Sequence, residues 1–78
     1  MITSKSIKAY REAFPSDICA FAEPSSLVLI VNSNGESYIS PFNENDEQFI
    51  ERLNRSKVNG TNYFYHDWEK YKSNGLIN

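Results

Sequence analysis

The 78-residue sequence predicts a single α+β domain of order α-β-β-β-α-α, a three-stranded antiparallel sheet packed with helices. Three observations lead to that class. Leu27-Val28-Leu29-Ile30-Val31 is an unbroken aliphatic run rich in β-branched residues, the pattern of a strand with apolar surface on both faces. Asn34-Gly35 follows it at the distance of a hairpin turn. Helical periodicity flanks this pair on both sides, and each glycine, preceded by asparagine, falls where an element breaks.

Residues 4–14 carry Ile7, Tyr10 and Phe14 at i, i+3 and i+7; Ser4 or Ser6 is the expected cap, and Pro15 forbids continuation past Phe14. Asp17–Glu23 is short and apolar between Pro15 and Pro24, and reads as the first strand. Leu27–Val31 is the second strand, central or covered on both sides. A two-residue type I′ loop at Asn34-Gly35 would set Val31 opposite Tyr38, Ile30 opposite Ile39 and Leu29 opposite Ser40. Pro41 offers no N–H to a ladder, so the third strand should end there as a sheet edge.

Asn45 and Gln48 have the spacing of a capping box, and Asp46 and Glu47 suit the positive end of the helix that follows. Phe49, Ile50 and Leu53 form its apolar stripe, Arg52, Arg55 and Lys57 suit its negative end, and Asn59-Gly60 stops it. Residues 62–73 predict a third helix with Phe64, Trp68 and Tyr71 at i, i+4 and i+7, closed by Asn74-Gly75.

Composition narrows the function classes. No uninterrupted apolar run is longer than Leu27–Val31, far short of the roughly 18–20 residues that span a bilayer, and no apolar leader core follows Met1. The expectation is a cytoplasmic protein. A lone cysteine, Cys19, excludes an internal disulfide and lacks Cys/His neighbours at zinc spacing. Its place in an apolar strand reads as a small core hydrophobe rather than a nucleophile. His66 is the only histidine, and Asp67 beside it points about 100° away on a helix, so the two form no hydrogen-bonded dyad. No phosphate-binding glycine loop, HExxH or GxSxG pattern occurs. An enzyme is not expected, and no cofactor is implied. Asn43-Glu44-Asn45-Asp46-Glu47 is rich in oxygen ligands, yet it lacks the glycine and the bidentate glutamate of a calcium loop, and reads as a helix cap.

Charge order is more informative than net charge. The formal sum is −2, but residues 12–51 hold eight acids and no lysine or arginine, while Lys5, Lys8 and Arg11 precede them and five basic residues follow. Glu44, Asp46 and Glu47 are satisfied by a helix start alone. They are equally suited, with the hairpin tip, to form a negative surface for a basic protein. Tyr63 and Tyr65 fall outside the Phe64-Trp68-Tyr71 face and would be exposed as interface anchors or base-stacking platforms. The pI of about 5.2 opposes direct nucleic-acid binding.

Leu27–Ser40, the Asn/Glu-rich helix start with Phe49-Ile50, Lys57-x-Asn59-Gly60 and Tyr65-x-Asp67-x-Glu69-x-Tyr71 together resemble the small type II-A anti-CRISPR inhibitors of Cas9, over residues 26–72. The resemblance implies a phage-encoded α-β-β-β-α-α domain. It also implies a mechanism: acidic and polar groups at the hairpin tip and on the last helix occupy a nucleic-acid-binding site of a basic host protein, a CRISPR effector. The matching positions are Asn34, Gly35 and Glu36 at the tip and Asp67 and Glu69 on the third helix. This sequence departs from the family in the last helix, where Trp68, Lys70 and Lys72 stand in place of a run of carboxylates. Two other readings stay open: a small homo-oligomer that buries its aromatics or edge strand, and a single-stranded nucleic-acid binder using Tyr63, Tyr65 and the basic ends.

Overall fold

The computed structural model describes residues 1–22, 27–40, 44–65 and 73; the expected third helix beyond Tyr65, with His66, Asp67, Trp68, Glu69 and Tyr71, lies outside them, as do Glu23 and Pro41. Within them the chain is α+β. Helix α1 (Ser4–Ala13) leads into strands β1 (Ile18–Ala22), β2 (Leu27–Val31) and β3 (Ser37–Ile39), and helix α2 (Asp46–Asn59) follows. The strands form one antiparallel sheet in the order β1-β2-β3.

Helix α1 is capped by Thr3, not by Ser4 or Ser6: the Thr3 hydroxyl accepts the Lys5 N–H at 3.3 Å. Ser6, one of the two expected caps, is instead buried on the helix face that carries Ile7 and Tyr10. Phe14 closes the helix by donating its N–H to the Tyr10 carbonyl at 2.8 Å, and Pro15 prevents a further turn. In α2 the capping box is complete: Asn45 and Gln48 each accept the other's backbone N–H through their side chains at 3.0 Å. Gly60 ends α2 with φ of 67°, a left-handed conformation that glycine adopts without a Cβ penalty.

The hairpin departs from the expected register by one residue. Leu29 pairs with Ile39, Ile30 with Tyr38 and Val31 with Ser37. The reason is local to the turn. The Asn32 side-chain oxygen accepts the N–H groups of both Asn34 and Glu36 at 3.0 Å, while Gly35 donates to the Asn32 carbonyl. Asn34 therefore keeps negative φ and only Gly35, at 82°, turns left-handed. A type I′ turn needs positive φ at both central residues, so the loop is three residues long, Ser33–Gly35, closed by the Asn32 N–H to the Glu36 carbonyl at 2.9 Å.

The core lies between one face of the sheet and the two helices. Cys19, Val28 and Ile30 meet Ile7, Tyr10, Phe49, Leu53 and Phe64, and Ile2 closes one side. Aromatic rings fill its middle. The Tyr10 and Phe64 centroids are 5.2 Å apart edge to face, and Phe49 and Phe64 are 4.8 Å apart; such pairs add about 0.5–1.5 kcal/mol each beyond their buried area. The buried side of α2 differs from the predicted Phe49-Ile50-Leu53 stripe. Arg52 and Ser56 are buried with Phe49 and Leu53, while Ile50 is only half-buried. Strand alternation puts Ile18, Leu29, Val31 and Ile39 on the opposite face of the sheet, where Ile18 is 59% exposed.

Candidate functional site

The acids that sequence order groups together separate into two kinds. Asp46 and Glu44 are held within the fold. The Asp46 carboxylate accepts the Ser6 hydroxyl at 2.6 Å and the Thr3 N–H at 2.8 Å on one oxygen, and the Thr3 hydroxyl on the other. It sits at the first turn of α2 while answering the donors of the first turn of α1, so two positive helix ends share one carboxylate. The hydrogen bond from Ser6, followed by those from Thr3, holds its carboxyl at about 2, well below the usual carboxylate range.

Glu44 forms a two-pronged ion pair with Arg52, Nε to Oε2 at 3.2 Å and Nη2 to Oε1 at 2.5 Å, with the two side chains only 8% and 10% exposed. The guanidinium lies 4.3 Å from the centre of the Phe64 ring. Arg52 thus serves the core rather than the negative end of α2. Of the expected interface carboxylates, these two are committed to intramolecular bonds, and both are poor candidates for contact with another molecule.

Asn34, Gly35, Glu36 and Glu47 are exposed, as is Glu51 one helical turn beyond Glu47. The Glu36 carboxylate accepts from the Asn32 side chain at 3.2 Å. Among the described residues Arg52–Glu44 is the one ion pair; Glu36, Glu47 and Glu51 are exposed without a salt bridge there, and Arg55 lies one helical turn beyond Glu51. Asp67 and Glu69 lie outside the described residues.

The residues weighed for chemistry have structural places. Cys19 is fully buried, and burial pushes its thiol up to about 12, so it is protonated and inaccessible at neutral pH. Tyr65 is half-buried against the core and donates its hydroxyl to Asp17 at 2.8 Å. Tyr10 donates to the same Asp17 oxygen, also at 2.8 Å. Burial raises the pKa of both phenols. Tyr63 accepts from the Asn59 side chain at 3.1 Å, and Arg55 stands 5.5 Å from its ring centre. Neither tyrosine is a free stacking platform. Asp17, which joins α1, β1 and the segment after α2, carried no signal in the sequence: its partners are 7 and 48 residues away.

One concavity also went unread in the sequence. A groove of about 990 Å³ runs between α1 and β1, with Ser4, Ile7, Lys8 and Arg11 at i, i+3, i+4 and i+7 along its helical wall. Phe21, 48% exposed, and Ala20 form the opposite wall. Lys5 and Glu12 border the groove, giving it three cations against one acid.

Among the described residues no helix is long and apolar enough to cross a membrane, and no cluster of three metal-ligating side chains occurs. Comparison of the chain with protein-family models, curated proteins and solved structures gives no match.

Proposed function

We propose that this chain is a protein-binding domain that acts by occlusion, seating the carboxylates of Glu36, Glu47 and Glu51 on a basic surface of a host protein. The carrying observation is the division among the acids. Glu44 and Asp46 are satisfied internally, whereas Glu36, Glu47 and Glu51 are exposed and make no ion pair among the described residues. Exposed like charges repel one another, and opposing charge on a partner relieves that cost while steering its approach. Cys19, buried and protonated, offers no nucleophile, which favours binding over catalysis. The resemblance to Cas9 inhibitors makes a nucleic-acid-handling effector, a CRISPR effector among them, the partner class to test, with the exposed Asn34-Gly35-Glu36 tip entering its nucleic-acid site.

The test is capture of partners from bacterial lysate with the wild-type chain and with a Glu36→Lys/Glu47→Lys/Glu51→Lys variant, quantified by mass spectrometry. The expected result is a basic protein retained by the wild type and reduced by about tenfold or more with the variant, and more weakly retained as salt rises. Equal retention by both would discard the acidic-surface mechanism.

A further inference from the structure

The open edge of β1 is defined by its hydrogen bonding. Ser40 donates to the Val28 carbonyl and Asn32 to the Glu36 carbonyl, so alternate residues of β2, starting at Val28, direct their backbone toward β3. Leu29 and Val31 therefore face β1, where Ala20 and Ile18 answer them. Cys19 and Phe21 are left with their N–H and C=O groups on the outer edge. The position of Arg11 agrees: its Nε donates to the Cys19 carbonyl at 2.9 Å. Cys19 O is thus capped, while the Phe21 N–H and C=O find no partner among the described residues. Ala20 borders the α1–β1 groove although its side chain belongs to the other face, which places that edge on the groove.

We propose that this groove takes an extended acidic segment of a partner protein, which adds to the sheet as a strand beside Phe21 while its carboxylates meet Lys5 and Lys8. Three features favour that occupant. An unpaired strand edge is matched by another peptide backbone, whose N–H and C=O groups alternate at the same spacing. Lys5 and Lys8 are exposed and make no ion pair within the described residues. Lys5 is close enough to help hold the Asp46 carboxyl low and Glu12 is one turn beyond Lys8, but with Lys5, Lys8 and Arg11 against Glu12 the groove rim is net positive. The half-exposed Phe21 ring and Ile7 supply an apolar floor for every second side chain of the incoming strand. From Ser4 to Arg11 the helical wall is about 10 Å long, enough for about three residues of strand. A nucleic acid would use the cations but leave the strand edge unpaired. The site is separate from Glu36, Glu47 and Glu51, and of opposite charge.

The experiment is titration of the ¹⁵N-labelled protein with a synthetic decapeptide of alternating glutamate and valine. Expected are amide shifts confined to Lys5–Glu12 and Ile18–Ala22, slowed hydrogen exchange at the Phe21 N–H, and affinity lowered by about tenfold or more in Lys5→Glu/Lys8→Glu. A backbone N-methylated peptide of the same sequence should not bind, because it lacks the donors the edge requires. The proposal is overturned if millimolar peptide leaves Phe21 unmoved, or if the N-methylated peptide or a lysine–valine analogue binds equally. It is also overturned if oligothymidylate occupies the same amides more tightly, or if Phe21 shifts with protein concentration alone, which would make a second copy the occupant. Peptide binding by Glu36→Lys/Glu47→Lys/Glu51→Lys should equal that of the wild type, so the two surfaces stand or fall separately.

Discussion

The Ser6 hydroxyl donates to the Asp46 carboxylate at 2.6 Å across forty positions of chain, fastening the first turn of α1 to the first turn of α2. Thr3 joins the same carboxylate through its N–H and its hydroxyl. The cap of one helix thereby depends on an acid of the other, and helix docking and helix capping become a single event.

Acid should loosen this junction. The folded Asp46 pKa lies near 2, below its ordinary 3.8, so its stabilising contribution is complete above about pH 4 and is lost as pH falls through 2. Thermal melts of the wild type between pH 5 and about pH 2 should show a falling Tm. In Asp46→Asn the fall over that window should be shallower, from a lower starting Tm. Parallel curves for the two proteins would show that Asp46 is not the titrating group.

Alkali should act through buried acids that resist ionising. Cys19 is raised from 9.0 to about 12, so the unfolded chain loses its thiol proton first and folding stability falls as pH rises above 9. Tyr10 and Tyr65, also raised, add to the loss above about pH 10. Urea titrations at pH 7.5, 9 and about 10.5 should therefore give decreasing midpoints. At neutral pH the native thiol should be unreactive toward a disulfide reagent until urea unfolds the chain.

Removing either member of the buried Arg52–Glu44 pair takes the ion-pair partner from a charged side chain that is about nine-tenths buried. Glu44→Leu alone should cost about 3–5 kcal/mol by urea unfolding, and Arg52→Met should fall in the same range. The double variant Glu44→Leu/Arg52→Met should recover most of that loss, because an apolar pair of similar volume needs no compensation for desolvation. Additive losses would show that the two side chains act independently.

The hairpin register can be read directly by NMR. Non-hydrogen-bonded antiparallel pairs bring their Hα atoms close, so strong Hα–Hα cross-peaks should join Leu29 to Ile39 and Val31 to Ser37. A two-residue loop would instead join Ile30 to Ile39. Gly35→Ala should cost about 1–2 kcal/mol, since φ of 82° is strained for any residue with a Cβ even though no atom crowds that position.

The sequence signals that the fold bears out have short-range causes. The capping box needs only Asn45 and Gln48, the end of α2 only Gly60, and the central strand only the branched side chains of Leu27–Val31. All of these interactions act within about one helical turn or one strand, where neighbours along the chain are neighbours in space. The hairpin register failed at the boundary of that range: the Asn32 side chain competed with the Asn-Gly preference for the same backbone donors and lengthened the loop.

By itself, then, the sequence determined the order of elements through β3 and α2, the caps of α2 and the asymmetric placement of charge. Tertiary structure alone decided what each charge and hydroxyl faces. Glu44 and Arg52 look like ordinary helix-terminus charges until folding buries them together, and Asp46 looks like a first-turn acid until Thr3 and Ser6 arrive. Tyr65 looks exposed until Asp17, 48 residues earlier, receives its hydroxyl. Periodicity along one element specifies which side is buried, but a hydrogen bond between elements depends on how their faces dock, and that geometry exists only once the core has closed.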